Sequence, residues 1–388
     1  MQILFWSLMA LVIFTYLGYP VSLLVLKKLG LDRKKPGNLV SEMPSMTFVV
    51  AAYNEADCIR EKIDNTLQLN YEKEKLQIVV VTDGSNDTTP DIVKGYEGVT
   101  LYHQPERRGK VAAIDRIMPY LDSEVIVLSD ANTILNEDAL AYMGKAYLDQ
   151  NVGAVSGEKV VLSSESDDAT AGEGMYWKYE SAIKQWDSDL NTMVGCAGEL
   201  MSFRKSLYQQ VEEDTYIEDF VMSMRIAAKG YRVVYCPEAK AYELPSASMG
   251  DEMKRKVRIA AGGLQAVWRL KNILNPLRYG MLTYQYVGHR VLRWTLTPLS
   301  LPLLLLINIA LFEVSWIYQG LMSAQVAFYG IAWFGGYRKS KKIKVKGLFV
   351  PYYFAMMNYA VFLGMVRLIK GRQKVTWEKA ERRLLMTD

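Results

Sequence analysis

The chain has 388 residues, of which half are apolar, and its formal net charge is +4 at pH 7. Its three cysteines have no CxxC spacing and it has only two histidines, so no disulfide framework is indicated and His-rich zinc chemistry is excluded. A bound metal would have oxygen ligands, which favours Mg²⁺ or Mn²⁺. The basic residues lie beside apolar runs, which favours membrane contact and argues against nucleic-acid binding.

The first apolar run, residues 3–26, carries no charge and is long enough to cross a bilayer as one helix. A cleaved signal peptide is the alternative, but the run lacks a basic segment before it and a small-residue cleavage site after it. Basic residues follow at once, and the positive-inside rule places the next domain in the cytoplasm. We therefore predict an anchor over residues 1–26 and a basic linker over residues 27–44.

Short apolar runs alternate with polar helical patterns over the next two hundred residues or so. Buried strands are predicted at residues 46–52, 76–81, 121–129 and 153–156. Strands that alternate with helices form parallel sheets, and ligands bind beyond the carboxyl ends of such strands. We therefore predict an α/β domain with a mostly parallel, Rossmann-like sheet over residues 45–251.

Polar clusters follow three of the predicted strands directly, at residues 53–55, 83–85 and 130–132. Their positions predict one site at one edge of the sheet. In the last cluster, Asp130 and Asn132 end a strand with a carboxylate and an amide oxygen, which suits a divalent metal ion. Alternatively, either side chain caps a helix that begins near Glu137.

Three further groups of charged residues are candidates for the same site. Glu218 and Asp219 could supply a general base, or could suit the N-terminal end of the helix that follows them. Arg255 and Arg258 could neutralise phosphates, or could lie on anionic lipid as part of a basic interfacial helix. The basic segment that ends at Lys110 is either an ordinary turn or a source of cations for a diphosphate.

The last third of the chain is apolar again. Residues 252–293 alternate basic and apolar positions, which predicts amphipathic helices at the membrane interface. A transmembrane region is predicted over residues 294–370, followed by a basic tail over residues 371–388. Its candidate spans are residues 296–312, 314–334 and 348–368. Three spans after the anchor place the C-terminus outside, whereas the basic tail favours the inside, and the sequence leaves both open.

Taken in order, these motifs resemble those of the inverting family 2 glycosyltransferases. The resemblance is to the membrane-bound bacterial branch near the cellulose, chitin-oligosaccharide and hyaluronan synthases, and it extends over nearly the whole chain. It implies a GT-A fold on the cytoplasmic face of a plasma or inner membrane, in a multi-pass protein. It also implies a nucleotide-sugar donor, in particular a UDP-sugar, and a glycan or polyprenyl-linked acceptor.

The resemblance assigns roles to individual residues. Donor contacts are implied for Ala51, Tyr53, Glu55, Asp83, Lys110, Asp130, Arg255 and Arg258. Asp219 is the implied catalytic base, beside Glu218. The implied metal ligands are Asp130 and Asn132, and Asn132 stands where the family has a second aspartate. The implied acceptor side includes Trp177, Gly195 and Gly198.

Departures from the family pattern keep two alternatives open. Arg255 and Ile259 replace the Gln and Trp of the QxxRW motif that processive synthases carry, and Arg258 retains its Arg. A transferase that adds one sugar to a polyprenyl-linked acceptor is therefore an alternative to a polymerase. A non-catalytic membrane subunit with a degraded transferase domain is the other.

Overall fold

The computed structural model describes residues 1–31, 38–162, 168–244, 249–340 and 349–371 of the chain. The strands of these residues are β1 (Met46–Ala52), β2 (Leu76–Asp83), β3 (Val99–Gln104), β4 (Val125–Asp130), β5 (Ile134–Leu135), β6 (Val152–Val161), β7 (Leu200–Arg204) and β8 (Arg232–Glu243). The α-helices are α1 (Gln2–Ile13), α2 (Tyr19–Lys28), α3 (Ile59–Leu67), α4 (Thr89–Lys94), α5 (Lys110–Ile117), α6 (Ala139–Ala146), α7 (Asp168–Leu190), α8 (Glu218–Ala228), α9 (Met249–Arg269), α10 (Pro276–Tyr279), α11 (Met281–Tyr286), α12 (Leu292–Trp294), α13 (Leu296–Leu311), α14 (Trp316–Ser340) and α15 (Phe349–Ile369). Short π-helical segments, Phe14–Gly18 and Val287–Val291, connect α1 to α2 and α11 to α12.

The strands of the described residues form one mixed sheet in the order β3-β2-β1-β4-β7-β6-β8-β5. β1 runs parallel to its neighbours β2 and β4, and the pairs β2–β3 and β6–β8 are also parallel. β7 is antiparallel to β4 and β6, and β5 is antiparallel to β8. Parallel pairs outnumber antiparallel pairs by four to three, so the predicted mostly parallel α/β sheet is confirmed.

Helices cover both faces of this sheet. All residues of β1 are buried, as expected for a central strand of a parallel sheet. Side chains alternate along a strand, so β1 contributes to two cores. Val49 and Ala51 belong to the core that includes α5 and α8, whereas Phe48 and Val50 belong to the core that includes α3 and α6.

The four predicted strands are present, with altered ends. The strand predicted at residues 121–129 begins only at Val125, because a 3-10 turn at Met118–Tyr120 carries Leu121 into the core from outside the sheet. β5, β7 and β8 were not predicted. β8 contains Pro237 next to a register irregularity against β6, and a proline inside a run argues against a strand when only the sequence is read.

Two helical stretches of the described residues are long and apolar enough to cross a membrane, Gln2–Lys28 and Val350–Ile369. Met281–Trp294 and Leu296–Leu311 pass the same test together as a pair bent by 52°, which leaves a third span open. The span predicted at residues 314–334 lies in α14, which is not among these candidates. Its glycines, glutamines and aromatic residues dilute the aliphatic side chains. Residues 32–37 of the predicted basic linker and residues 372–388 of the predicted basic tail lie outside the described residues.

Polar contacts join the first helical stretch to the rest of the chain. Oγ1 of Thr15 lies 2.9 Å from Oγ1 of Thr297 in α13. The hydroxyl of Tyr16 donates to Oδ1 of Asn358 in α15 at 3.2 Å, and the Tyr16 carbonyl accepts from the hydroxyl of Tyr179 in α7 at 2.7 Å. The anchor helix is therefore packed against both the apolar helices and the α/β domain.

Candidate active site

The carboxyl ends of β1, β2 and β4 meet at one edge of the sheet. Ala51 of β1 is in register with Val81 of β2 and with Asp130 of β4. Tyr53 follows β1 and Asp83 ends β2, so both lie near Asp130. The parallel register thus brings together the three polar clusters that the sequence placed after separate strands.

Asp83 lies at the edge of a narrow recess. Its carboxylate accepts hydrogen bonds from the backbone N–H groups of Arg108 at 2.9 Å and of Gly109 at 2.6 Å. Gly109 has a φ of +98°, a backbone conformation that glycine adopts readily. The guanidinium carbon of Arg107 lies 3.6 Å from the centre of the Tyr53 ring. The recess therefore presents an aromatic ring and a carboxylate that main-chain donors hold in place.

Glu55 differs from the other predicted donor residues near this edge, since it does not line the recess. Its carboxylate accepts a hydrogen bond from Sγ of Cys58 at 3.3 Å, and its backbone N–H donates to Oγ1 of Thr89 at 2.9 Å. These contacts tie the turn after β1 to α3 and α4. The structure places Glu55 in the loop that supports the recess.

Four charged side chains meet where β4, α5 and α8 converge. Nζ of Lys110 lies 2.8 Å from Oδ1 of Asp130 and 3.2 Å from Oε1 of Glu218. Asp219 borders the same group: a Cβ added to Gly198 would lie 3.2 Å from Oδ2 of Asp219 and 3.6 Å from Nζ of Lys110. The glycine leaves free the space between this carboxylate and the ammonium group. Residues from four separate motifs are brought to one point.

The pKa of Asp219 is raised to about 7. Burial is the largest cause and the adjacent carboxylate of Glu218 adds to it, whereas the ammonium of Lys110 opposes both. Burial alone would lower the pKa of Lys110, but the carboxylates of Asp130 and Glu218 raise it above its usual value. Lys110 therefore stays charged, and Asp219 ionises near neutral pH, as suits a general base.

A loop that begins at Gly195 forms the wall beside Asp219. Gly195 has a φ of +81°, and a Cβ there would lie 2.0 Å from the ring of Phe220, so a larger residue does not fit. The backbone N–H of Cys196 donates to Oγ of Ser223 at 2.9 Å, and that hydroxyl donates to the carbonyl of Asp219 at 2.8 Å. Ser223, which was not predicted, thus fixes the loop to the first turn of α8.

The two predicted metal ligands contact different neighbours. Asp130 faces Lys110, whereas Nδ2 of Asn132 donates to Oε1 of Glu243 at 3.4 Å. No group of three His, Cys, Asp or Glu side chains is arranged to hold a metal ion in the part of the chain that the structure describes. A divalent ion that also binds substrate phosphates needs only one or two protein carboxylates. The residues present therefore fit a metal shared between Asp130 and a diphosphate.

The alternative interpretation of residues 130–132 as helix caps is wrong. α6 begins at Ala139, and the residue before it is Asp138. The carbonyl of Asp130 instead accepts hydrogen bonds from the backbone N–H of Thr133 at 3.3 Å and from its Oγ1 at 2.9 Å. The segment is a turn at the end of β4, and its side chains are not needed to begin a helix.

Lys62 in α3 supports this turn from the other side of β4. Its side chain is fully buried, and Nζ donates to Oγ of Ser129 and to the carbonyl of Thr133, both at 2.8 Å. Burial lowers the pKa of Lys62 to about 7, although Asp130 opposes this effect. Lys62 was not predicted, although its spacing from neighbouring residues in the sequence indicates that it is buried. Lys62 falls on the apolar stripe of α3, between Ile59 and Thr66.

Arg255 belongs to a second charged cluster. Its guanidinium lies 3.3 Å from the carboxylate of Glu252 and 3.9 Å from those of Glu199 and Glu243. Lys159 bridges the last two, with Nζ 2.5 Å from Oε1 of Glu199. Burial would raise the pKa of Glu199, but Lys159 and Arg255 hold it well below its usual range. Lys159, Glu199 and Glu243 lie outside the predicted motifs, which is why they were missed.

A cavity of about 500 Å³ opens beside these clusters. Lys110, Asp130 and Asp219 line it, and so do Tyr16 and Phe354 from the two candidate spans. The predicted residues Trp177, Gly195, Gly198, Arg255 and Arg258 also line it. The cavity therefore leads from the charged centre to the apolar helices.

Arg258 differs from Arg255 in its partners. Both lie on α9 and line the cavity, but Arg258 forms no hydrogen bond or ion pair within the described ranges. A guanidinium offers up to five donors in a planar fork that matches a phosphate. The structure thus leaves Arg258 available to an anion.

Comparison with known proteins gives one family. Residues 47–212 match the glycosyl transferase family 2 domain. Poly-beta-1,6-N-acetyl-D-glucosamine synthase of Staphylococcus aureus (strain MSSA476) is 30% identical over 243 residues, which cover 61% of this chain and 58% of the synthase. The synthase of the same name from Staphylococcus epidermidis is 25% identical over 235 residues, which cover 59% of this chain and 57% of that protein.

The fold has a counterpart among solved structures. A mannosyltransferase of Pyrobaculum calidifontis in complex with GDP-Man and Mn²⁺ superposes with a TM-score of 0.73, over 96% of this chain and 99% of that chain. The two are 22% identical, so the likeness establishes the fold. The chain spans about 58% of the length of the curated relatives it matches. Residues 47–212 of the chain therefore form a glycosyl transferase family 2 domain, and the chain has a GT-A fold.

Proposed function

We propose that the chain transfers a sugar from a nucleotide-sugar donor to an acceptor at a membrane surface, with inversion at the anomeric carbon. The observation that carries the proposal is the position of Asp219. Its carboxyl lies beside Lys110 in the wall of a cavity that is also lined by helices long and apolar enough to cross a membrane. The proposed base Asp219 and the cation Lys110 therefore line the cavity through which an acceptor could enter.

In the proposed reaction, Asp219 accepts the proton of the acceptor hydroxyl. The acceptor oxygen bonds to the anomeric carbon while the bond from that carbon to the diphosphate breaks on the opposite face. A base with a pKa near 7 is ionised at neutral pH and still basic enough to assist. Glu218 holds Lys110 in place and raises the basicity of Asp219. Because the site binds both substrates in line for the displacement, it lowers the entropic cost of reaching the transition state.

The departing nucleoside diphosphate gains negative charge, so cations must stabilise it. Lys110 and Arg258 supply two such groups from this chain. Mg²⁺ or Mn²⁺, held by Asp130 and by the diphosphate, would neutralise further charge as a Lewis acid. Asn132 would join this site only after turning away from Glu243. The ring of Tyr53 and the carboxylate of Asp83 would receive the nucleobase.

We propose a UDP-sugar as the donor, following the resemblance of the motifs to the polysaccharide synthases. GDP-mannose is the alternative, since the mannosyltransferase with the same fold was solved with GDP-Man. For the acceptor, the names of the curated relatives favour a growing glycan. A cavity of about 500 Å³ that is lined by apolar helices favours a single polyprenyl-linked acceptor. We place the reaction on the cytoplasmic face of a bacterial plasma or inner membrane.

The test is a panel of nucleotide sugars supplied to the purified chain in nanodiscs with Mg²⁺ or Mn²⁺ and membrane lipid extract. Release of nucleoside diphosphate from one donor is expected. Asp219→Asn should keep nucleotide affinity within about threefold and lose about 10²-fold to 10⁴-fold in rate. Asp91→Asn, an exposed carboxylate on α4, is the matched control. Transfer by Asp219→Asn near the wild-type rate would exclude Asp219 as the base.

The same panel separates the remaining alternative from the proposal. A non-catalytic subunit with a degraded transferase domain would bind no nucleotide and release none. The charged group of Lys110, Asp130 and Asp219 is intact. This argues against that alternative, because a degraded site would be expected to have lost the base or the cation. Nucleotide binding without any release, with every donor and lipid extract supplied, would contradict the proposed activity.

A further inference from the structure

Helix α9 carries Arg258, and α15 packs against α9 with almost no space between the two backbones. A Cβ at Gly364 of α15 would lie 2.7 Å from the backbone nitrogen of Ala261 and 3.0 Å from Cβ of Ala260. Atoms that are not bonded do not approach so closely, so a side chain at Gly364 would force the two helices apart. Ala261 follows Arg258 by three residues, which places both on one side of α9. The contact at Gly364 therefore determines how far Arg258 stands from α15.

A second contact between these helices involves Lys256, two residues before Arg258. Lys256 is only 5% exposed. Its ammonium lies 5.7 Å from the ring centre of Tyr353 in α15, and 5.4 Å and 5.8 Å from those of Trp177 and Tyr176 in α7. Aromatic faces attract a cation more strongly where water is excluded. Lys256 thus attaches α9 to α15 on the other side of Arg258 in the sequence.

α9 also packs closely against the turn that leads to the proposed base. A Cβ added to Gly262 would lie 2.9 Å from Cγ2 of Ile217 and 3.1 Å from Cβ of Tyr216. Ile217 directly precedes α8, whose first two residues are Glu218 and Asp219. α9 is therefore in close contact with both α15 and this turn, and close packing resists any shift of α9.

The helix that supports Arg258 in this way is a candidate membrane span. Tyr353 and Gly364 both lie within Val350–Ile369, which is long and apolar enough to cross a bilayer. A guanidinium meets a phosphate through a planar fork of donors, and small displacements of a binding group are costly. Contacts made by α15 therefore bear on the affinity for a diphosphate that Arg258 binds.

We propose that Gly364 and Tyr353 are positioning residues for the donor. They hold α9 so that the guanidinium of Arg258 meets the diphosphate, and they act through Arg258 rather than on the donor itself. The inference rests on the proposed function, in which Arg258 binds the departing nucleoside diphosphate. It makes close docking of a candidate membrane span a condition for full donor affinity.

The test measures nucleotide affinity of the full chain in nanodiscs by isothermal titration with UDP and GDP in the presence of Mn²⁺. The nucleotide that the unaltered chain binds more tightly serves for all variants. Gly364→Ala should weaken binding about threefold to tenfold, and Gly364→Val should weaken it further, because a larger side chain separates the helices more. The matched controls are Gly330→Ala and Gly330→Val in α14, where a Cβ would meet nothing within 4 Å, and both should leave the affinity unchanged.

A double-mutant cycle with Arg258→Ala separates a positioning role from general destabilisation. If Gly364 acts through Arg258, adding Gly364→Ala to the Arg258→Ala protein should change its affinity by less than about twofold. The same loss of affinity from Gly364→Ala in both backgrounds would overturn the inference. So would a Gly364→Ala protein that binds the nucleotide as tightly as the unaltered chain.

Tyr353 provides a variant that adds no bulk between the helices. Tyr353→Phe keeps the ring beside Lys256 and should retain the affinity, whereas Tyr353→Leu removes the ring and should weaken binding about threefold. Equal affinities of these two variants would contradict the role of Tyr353.

Arg258→Ala alone reports on the proposed function. If this variant binds the nucleotide as tightly as the unaltered chain, the donor assignment of Arg258 fails and the inference fails with it. If Arg258→Ala weakens binding while Gly364→Ala and Tyr353→Leu do not, the donor assignment stands and only the inference is overturned.

Discussion

Asp219 is the residue whose protonation should control the rate. Burial and Glu218 raise the pKa of its carboxyl to about 7, so the base is protonated and inactive at lower pH. We expect the transfer rate with saturating donor to fall by about tenfold per pH unit below about pH 6 and to level off above about pH 8. Nucleoside diphosphate release, followed from about pH 5 to about pH 9, measures this.

The control for this profile is nucleotide binding at each pH, which separates protonation of the base from weaker donor affinity. A rate that stays constant between about pH 5 and about pH 8, with donor bound throughout, would contradict the raised pKa. The transfer rate must fall as the pH falls, because only the ionised carboxylate of Asp219 can accept the proton. A rate that rises on acidification would assign Asp219 the role of an acid.

Lys62 should affect catalysis without touching substrate. Lys62→Met removes the donors that hold Ser129 and Thr133 and so loosens the turn that carries Asp130. We expect a loss of about tenfold to about 10²-fold in rate, since small displacements of a bound group are costly. The folded state should be retained, because an apolar side chain of similar volume replaces a buried cation. Lys145→Met, on the exposed side of α6, is the control.

A second measurement distinguishes this positioning role from general destabilisation. The pKa of Lys62 is about 7 in the folded protein and higher when unfolded, so the folded state binds fewer protons in between. The free energy of unfolding of the unaltered protein should therefore increase with pH above about 7. In Lys62→Met this increase should be absent. An unchanged transfer rate in a folded Lys62→Met protein would remove Lys62 from the support of the site.

Single residues were predictable where a motif ends a strand. Asp83 and Asp130 lie at the strand ends where the sequence placed them, because parallel register determines which strand ends meet, and Asp219 lies in the first turn of α8. Lys159 and Ser223 were not predictable in this way. Their contacts join segments distant in the chain, and no local pattern distinguishes them from ordinary polar residues.

At the scale of elements, α9 separates two arginines that the sequence treated alike. Residues three apart lie on one side of a helix, yet Arg255 reaches the carboxylates of Glu199 and Glu243 while Arg258 faces the cavity unpaired among the described residues. We expect Arg258→Ala to weaken nucleoside diphosphate binding about tenfold or more, with little change in melting temperature. Arg255→Ala should lower the melting temperature and change affinity by less than about threefold.

Isothermal titration with the nucleoside diphosphate and thermal unfolding of both variants make this comparison. The two proteins control for each other, because both lose one guanidinium from the same helix. If Arg258→Ala binds as tightly as the unaltered chain, the residue does not hold the donor. An equal loss of affinity in both variants would show that the two act as one cationic surface.

Strands and helices were predictable from the sequence where one short segment contains the whole pattern that indicates them. β1, β2 and the first span are continuous apolar runs, and the structure has them within a few residues of the predicted ends. β7 and β8 complete the sheet from the second half of the domain, and their partners are set by topology. The span predicted at residues 314–334 stays a prediction, since α14 is long enough for a span but is not among the helices with the hydropathy of a candidate.

At the scale of the whole molecule, a buried polar network joins the anchor to the transferase domain. Asp187 in α7 is fully buried, and it accepts a hydrogen bond from the hydroxyl of Tyr19 in the first helical stretch. His289 lies 2.6 Å from the other oxygen of Asp187 and 3.3 Å from Glu180, which contacts the arginines of the cavity wall. The anchor is thus joined through polar contacts to side chains that line the cavity.

Removal of Asp187 should therefore destabilise the whole chain rather than one loop. Asp187→Ala leaves Tyr19, His289 and a donor of Gln285 without their acceptor, and buried polar groups left unpaired cost about 1–3 kcal/mol each. Asp189→Ala, two residues on, is the matched control. Asp189 pairs with the partly exposed Lys27 at 2.6 Å, and such pairs contribute about 1 kcal/mol or less.

Thermal unfolding of the two variants in nanodiscs provides the measurement. Asp187→Ala should unfold at a clearly lower temperature, whereas Asp189→Ala should unfold at nearly the same temperature as the unaltered chain. A drop in stability of the same size in the two variants would show that the anchor is held by apolar packing alone.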